Sequence, residues 1–273
     1  MNISVVILTK NEERNIVSCL QALQRFDDIH VIDSGSDDKT PELAVKFKAK
    51  VHYRIFDTFS GQRNFAHEHC NLKYDWVLHI DADEVVTTDL IKEIEKITSS
   101  KHNFDCFEIP SRLMFLDTFL KFASEYPVYQ VRLMKKGIRF EEVGHGQKEI
   151  AAVDRIGRLK FDYLHYNFSH GISHWLVRHV GYAKKEAAEI LDKKLRINKV
   201  KFNNITRIKF RRILKQCFNY LPILLRPFIK FSYLYFFRLG FLDGRAGFIF
   251  CLLQFTYELM IGIFYYTMKF GNR

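Results

Sequence analysis

Four short apolar runs, each followed by a polar turn and a helix-like stretch, constrain this chain more than any other feature. Ser4-Val5-Val6-Ile7-Leu8 is apolar throughout and rich in β-branched residues, which predicts a strand covered on both faces. Asn11-Glu12-Glu13-Arg14-Asn15 opens a helix with Ile16, Leu20 and Leu23 on its apolar side. Ile29-His30-Val31-Ile32-Asp33 is a second strand, and Thr40-Pro41-Glu42 starts a second helix with proline in its first turn. Val51-His52-Tyr53-Arg54 reads as a third strand, residues 62–69 as a helix, Trp76-Val77-Leu78-His79-Ile80 as a fourth strand, and residues 89–96 as a helix. This alternation predicts an α/β domain with a largely parallel, Rossmann-like sheet flanked by helices.

Beyond residue 104 the pattern changes. Cys106-Phe107-Glu108-Ile109-Pro110 and Tyr129-Gln130-Val131-Arg132-Leu133-Met134 read as strands, the second closed by a Lys135-Lys136-Gly137 turn. Residues 175–195 read as a helix. Charge divides the chain more sharply. The whole carries +11, residues 193–215 hold ten Lys/Arg and no acidic residue, and residues 216–273 carry 6 − 2 = +4. Residues 1–192 therefore carry 11 − 10 − 4 = −3. The expected organisation is a catalytic domain over 1–192 and a basic, aromatic, helical, membrane-associating region over 193–273. Residues 246–268 contain one charge, Glu258, and are long enough to cross a bilayer or to lie in its interface. Basic and apolar residues interleave around Arg207, Lys209, Arg211 and Arg212, which suits an anionic membrane surface. No nucleic-acid reading motif accompanies the charge, so nucleic acid is not an expected partner. Five cysteines without a C-x-x-C pair argue against a disulfide framework and against a structural zinc site, and predict a reducing, cytosolic setting. The first residues run straight into a strand, without the charged and apolar regions of a signal peptide.

The chemistry-bearing motif is Asp81-Ala82-Asp83-Glu84, directly after the fourth strand. Ligands of open α/β sheets bind beyond the carboxyl ends of the strands. Two carboxylates there suit Mg²⁺ or Mn²⁺, which can clamp a diphosphate. The turns after the first two strands are Thr9-Lys10-Asn11-Glu12 and Asp33-Ser34-Gly35-Ser36-Asp37-Asp38. Neither contains a dinucleotide fingerprint or a P-loop, which excludes nicotinamide oxidoreductases and P-loop NTPases.

Four blocks in order carry a resemblance: Ser4 to Glu12, Val31 to Thr40, Gly61-Gln62-Arg63-Asn64-Phe65-Ala66 and Asp81-Ala82-Asp83-Glu84. Together they resemble inverting family 2 glycosyltransferases of the GT-A fold. The resemblance continues more loosely through Tyr126-Pro127-Val128-Tyr129-Gln130-Val131-Arg132-Leu133 and Val143-Gly144-His145-Gly146-Gln147. The segment 238–247 is similar to bacterial lipopolysaccharide-core and exopolysaccharide glycosyltransferases. This resemblance implies that Thr9, Asn11, Glu12, Asp33 and Gly35 line a nucleoside pocket. Gln62, Arg63 and Asn64 would lie near the diphosphate or donor sugar, Asp81 and Ala82 would face the ribose or sugar, and Asp83 with His145 would hold Mn²⁺ or Mg²⁺. The general base is expected among Glu149, Glu125 and Glu142, with Glu149 first. Related lipopolysaccharide-core enzymes often carry an aspartate where Val128 stands. The implied activity is transfer of a sugar from a nucleotide-sugar donor, UDP-linked by expectation, to a lipid-linked glycan. It would take place at the cytoplasmic face of the inner membrane, on a peripheral protein or one with a single C-terminal membrane segment. The rival is an inactive sugar-nucleotide or membrane-binding scaffold on the same fold.

Overall fold

A computed structural model of the chain describes residues 1–143, 146–196 and 221–271. It divides into two units, one made of Met1–Met114 with Tyr126–Ser169, the other of Phe115–Glu125 with His170–Arg273.

The first unit is built on one mixed sheet. Its strands are β1 (Ile3–Thr9), β2 (Asp28–Asp33), β3 (Lys50–Tyr53), β4 (Trp76–Asp81), β5 (Glu84–Val86), β6 (Cys106–Phe115), β7 (Val128–Lys135), β8 (Phe140–Val143), β9 (Gly146–Glu149), β10 (Ile156–Arg158) and β11 (Tyr163–His165). The sheet runs β3-β2-β1-β4-β7-β6-β11-β5, with β10 also on β6, while β8 and β9 form a separate hairpin. Strands β1 to β4 are mutually parallel, and β7 lies antiparallel to β4 and β6. The expected GT-A nucleotide-diphospho-sugar transferase fold is what the chain adopts.

Four helices, α1 (Ile16–Ala22), α2 (Thr40–Lys46), α3 (Phe59–His69) and α4 (Thr88–Thr98), cover the sheet on its two faces. Alternate residues of each parallel strand point to opposite layers. Val5, Ile7, Val31, Leu78 and Ile80 join Ile16, Leu20, Leu90 and Ile94 in the larger core. Val6, Ile32 and Val77 meet Ala66 and Cys70 on the other side. Burial of both faces is why these strands read as unbroken apolar runs. Helix α4 is capped by Thr87, whose hydroxyl accepts from the Leu90 amide, and its Leu90, Ile91 and Ile94 face inward.

The order β3-β2-β1-β4 places the site. The chain winds from β1 outward through β2 and β3, then returns to the other side of β1 as β4. The carboxyl ends of β1 and β4 thus flank the point where the winding reverses, which is where open α/β sheets leave a crevice. Leu8 pairs with Asp81 there, and Thr9 with Asp33.

The second unit contains α5 (Gly171–Arg196), α6 (Arg226–Ser232), a π-helical turn over Tyr233–Phe237, a 3-10 turn over Gly240–Asp243, and α7 (Gly244–Phe270). Helix α5 thus includes the 175–195 expectation, and α7 includes 246–268. Ala183 and Ala187 of α5 pack with Ile223, Ile261 and Tyr265. The Asp243 carboxylate accepts from the amides of Lys121, Phe122 and Ala123 at 3.2, 2.9 and 2.8 Å, tying residues 115–125 into this unit. Residues 240–270 are long and apolar enough to cross a membrane by length and composition. Phe228, Phe236 and Phe237 are exposed. The basic run from 197 to 215 lies outside the described residues.

Candidate active site

Asp33 ends β2 buried, and its carboxylate organises the turn that follows. It accepts from Thr9 Oγ1 at 3.1 Å, from Ser36 Oγ at 2.5 Å, and from the amides of Gly35 and Ser36 at 3.0 and 2.9 Å. Gly35 sits at φ +83°, a backbone region that favours glycine, with the Tyr53 hydroxyl 3.4 Å from where a Cβ would stand. The β1 turn is locked to the β2 turn. Asn11, at φ +57°, accepts from the Asp37 amide at 2.8 Å through its side chain, while its own amide donates to Ser36 Oγ at 2.9 Å. The Glu12 amide donates to Thr40 Oγ1 at 2.8 Å, and the Glu12 carboxylate accepts from Asn15 at 2.6 Å. The residues expected around a nucleoside are therefore brought together as one hydrogen-bonded double turn.

Helix α3 contributes the third block. Thr58 caps it, its hydroxyl accepting from the Gly61 amide at 2.9 Å. Gln62 is buried and donates to Ser34 Oγ and the Arg54 carbonyl at 3.2 and 3.1 Å. Arg63 is buried, donates to Asp81 Oδ1 at 3.0 Å, and lies over the Phe140 ring at 5.7 Å. Burial lowers its pKa to about 10. Gln62 Oε1 and Arg63 Nε are buried with no hydrogen-bond partner among the described residues. Asn64 faces a different task, since its amide group both donates to and accepts from the Phe140 backbone, at 3.0 and 2.9 Å.

The acidic motif sits in a charge network that its own sequence does not reveal. Arg132 of β7, only 4 % exposed, donates to Asp81 Oδ2 at 2.7 Å and to Glu84 Oε1. Its guanidinium lies over the Tyr163 ring at 5.6 Å. Burial alone would raise Asp81, but Arg132 and Arg63 outweigh it and hold the carboxyl well below the usual range. Glu84 is fully buried, and burial, opposed by Arg132 and reinforced by Asp81, pushes it up. Glu84 also accepts from the Asp81 amide at 3.0 Å, which fixes the turn. Asp83 faces β11, where His165 Nε2 stands 3.5 Å from its Oδ2 and the Tyr166 amide donates to its carbonyl at 2.8 Å. Burial would lower His165, but the bond to Asp83 and the charges of Asp83 and Glu84 raise it.

These residues suit a divalent cation. Asp81 is neutralised by two guanidinium groups, whereas the ion-pair partner of Asp83 among the described residues is an imidazole. A carboxylate oxygen beside a ring nitrogen is a donor pair that Mn²⁺ accepts, and the carboxylate alone suits Mg²⁺. His145 lies outside the described residues. Glu149 ends β9 opposite Phe140, and its charge raises the Cys106 thiol, whose pKa burial has already pushed up. Cys106 is level with Val77 through Met134, four residues before Asp81 on β4. Glu142 accepts from Ser60 Oγ at 2.7 Å. Glu125 belongs to the second unit, where it pairs with Lys230 at 3.1 Å.

Glu84, Arg132, Tyr163 and His165 carry no role in the sequence reading. The available signal was a charged residue interrupting an otherwise apolar strand, as Arg132 does between Val131 and Leu133.

A doubly wound sheet with an acidic motif at its switch point and two buried arginines beside it fits the GT-A fold. Residues 4–138 match the model of glycosyl transferase family 2, and the chain carries a domain of that family. An uncharacterized glycosyltransferase of Rickettsia conorii is 40% identical over 104 residues, 38% of this chain and 36% of that protein. The lipopolysaccharide core biosynthesis glycosyltransferase LpsC of Rhizobium meliloti is 33% identical over 87 residues, 30% of this chain and 32% of LpsC. The chain thus spans about a third of the length of these curated relatives. Among solved structures, S. aureus TarS is similar with a TM-score of 0.44 and 17% identity, over 99% of this chain and 92% of that one. Glucosyl-3-phosphoglycerate synthase from Mycobacterium tuberculosis, solved with Mn²⁺, UDP and glucosyl-3-phosphoglycerate, has a TM-score of 0.46 and 17% identity, over 61% of this chain and 72% of that one.

Proposed function

We propose that this protein transfers a sugar, with inversion, from a UDP-linked donor to a lipid-borne glycan of the lipopolysaccharide-core class at the cytoplasmic membrane face. The observation that carries the reading is that Asp81, two residues before Asp83, ends β4 beside the end of β1, whose turn is locked to that of β2 through Thr9 and Asp33. The double turn would receive the nucleoside. Arg63 and Gln62 each bury a polar atom without a partner among the described residues, a costly arrangement that a polar donor would relieve. A divalent cation held by Asp83, with His165 beside it, would neutralise charge on the departing nucleoside diphosphate. Arg132 holds Asp81 ionised and oriented, so that it accepts hydrogen bonds from a ribose or sugar hydroxyl. A glutamate, Glu149 first and Glu125 second, would take the proton of the acceptor hydroxyl as it attacks the anomeric carbon.

Two further features support the setting. The similarity to LpsC, named for lipopolysaccharide core biosynthesis, favours a glycan acceptor of that kind. The apolar residues 240–270 and the basic run before them favour a membrane-confined acceptor met by a soluble donor. The test is transfer from a panel of radiolabelled nucleotide sugars to lipopolysaccharide-core glycolipid in vesicles with Mn²⁺ or Mg²⁺. Transfer should require the metal, and Asp83→Ala should lower it by at least a hundredfold while circular dichroism is unchanged. Full metal-dependent transfer by D83A would overturn the metal assignment. Tight nucleotide binding without turnover on any glycolipid would overturn the enzymatic reading in favour of a scaffold.

A further inference from the structure

On the other side of the sheet from the larger core, three metal-ligating side chains converge from separate elements. They are His30 of β2, His52 of β3 and Cys70, the residue that caps the C-terminus of α3. One ring nitrogen of each histidine and Cys70 Sγ all lie within 4.8 Å of one another, with His30 Nδ1 3.0 Å from His52 Nε2. His30 and Cys70 are buried, and His52 is half-buried on the edge strand β3, which leaves an approach from solvent.

The hydrogen bonds around them set the tautomers. His30 Nε2 lies 3.0 Å from Asp28 Oδ1, and that aspartate also accepts from Lys50 Nζ at 2.7 Å, Ser4 Oγ at 2.6 Å and the Lys73 amide at 2.9 Å. A carboxylate so placed accepts a hydrogen bond from the Nε2–H of His30, which keeps the proton on Nε2 and leaves the Nδ1 lone pair facing His52 Nε2 at 3.0 Å. Carboxylate–histidine pairs of this kind orient and strengthen the imidazoles of zinc sites. The other histidine pair, half-buried His67 with buried His79 at 2.9 Å, differs in two respects. Arg63 and Lys136 bear on its charge, and no sulfur or carboxylate joins it in a three-ligand group among the described residues.

The geometry points to a second metal site in this protein, in which His30 Nδ1, His52 Nε2 and Cys70 Sγ bind Zn²⁺ with a fourth position open to water. Two imidazoles and a thiolate are a donor set that zinc accepts. Binding removes one proton, from the Cys70 thiol. His52 keeps its proton by moving it from Nε2 to Nδ1, while Lys50 stays paired with Asp28. The ion would join the edge strand β3 and the end of α3 to β2. Asp33 ends β2, and Gln62 and Arg63 lie on α3, so the site would brace two elements of the candidate active site from behind. It is independent of the donor assignment and would stand if that failed.

The probes are Zn²⁺ and Co²⁺ added to the full chain after chelator treatment. One equivalent of Co²⁺ should bind with a thiolate-to-cobalt charge-transfer absorption and the intense visible bands of a four-coordinate ion. Cys70→Ser should abolish the charge-transfer band, His52→Gln should weaken Zn²⁺ binding on the order of tenfold or more, and Cys251→Ser should change neither. Hydrogen exchange on the unaltered chain supplies a reading that needs no variant: Zn²⁺ should slow exchange over residues 50–53 and 66–70. A missing band, a band that persists in C70S, or unchanged exchange at these residues overturns the site.

Discussion

Replacing Arg132 by methionine tests the charge network most directly. The methionine keeps an unbranched side chain of similar length but removes the guanidinium that lies over Tyr163 and donates to Asp81 and Glu84. Asp81 keeps Arg63 and a third of its side-chain surface in solvent. Glu84 is fully buried and loses its guanidinium. Removing one partner of a buried ion pair costs about 3–5 kcal/mol, because the other charge is left stranded. For a unit of this size each kcal/mol lowers Tm by about 2–4 °C, so R132M should melt on the order of 6–20 °C lower. The chain divides into two units and two-state melting is not assured, so hydrogen exchange over β4 and β7 should accompany calorimetry. The mechanism has its own signature in the double variant. Adding Glu84→Gln removes the stranded carboxylate and should recover part of the loss, with a coupling of about 2 kcal/mol or more between the two sites. An R132M protein that melts within 2 °C of the parent (less than about 1 kcal/mol), or strictly additive losses in the double variant, would refute the reasoning.

The remaining predictions concern stability. Burial, reinforced by Arg63 and Lys136, lowers His67 to about 4, and burial, Arg63 and His67 hold His79 well below its ordinary 6.5. Both imidazoles gain protons in the unfolded chain before the folded one, so their contribution is fully present above pH 6.5 and falls as pH drops toward 4. Urea unfolding should show a slope of up to about 1.4 kcal/mol per pH unit for each group in that window. His79→Phe should flatten the curve, and an unchanged slope would contradict the assignment. Gly157→Ala would set a Cβ 2.5 Å from Phe107 Cε1, a buried ring with little room to move. It should destabilise the first unit by about 1–3 kcal/mol in denaturant unfolding, and a neutral result would mean that β10 shifts freely on β6.

The sequence by itself determined the winding of the first hundred residues. Both faces of β1, β2 and β4 are buried, so local composition and turn chemistry carried the strands without help from distant residues. The turns after β1 and β2 were legible as polar stretches closing apolar runs, but the hydrogen bonds that lock one to the other join residues 24 to 26 apart in the chain. The acidic motif was legible as two carboxylates after a strand. Tertiary structure alone decided which of them is neutralised. Arg63 comes from α3 and Arg132 from β7, 18 and 51 residues away in the chain, and together they compensate Asp81. His165 reaches Asp83 only because β11 pairs with β5. Asn64, expected near the donor, exchanges two hydrogen bonds with the Phe140 backbone, 76 residues away in the chain. The cysteine spacing argued against a structural zinc site, whereas the convergence of His30, His52 and Cys70 depends on β3 and α3 meeting β2. Hydrophobic periodicity is a local property that sequence displays. Charge compensation and ligand convergence join residues far apart in the chain, and only the packed sheet brings them within reach.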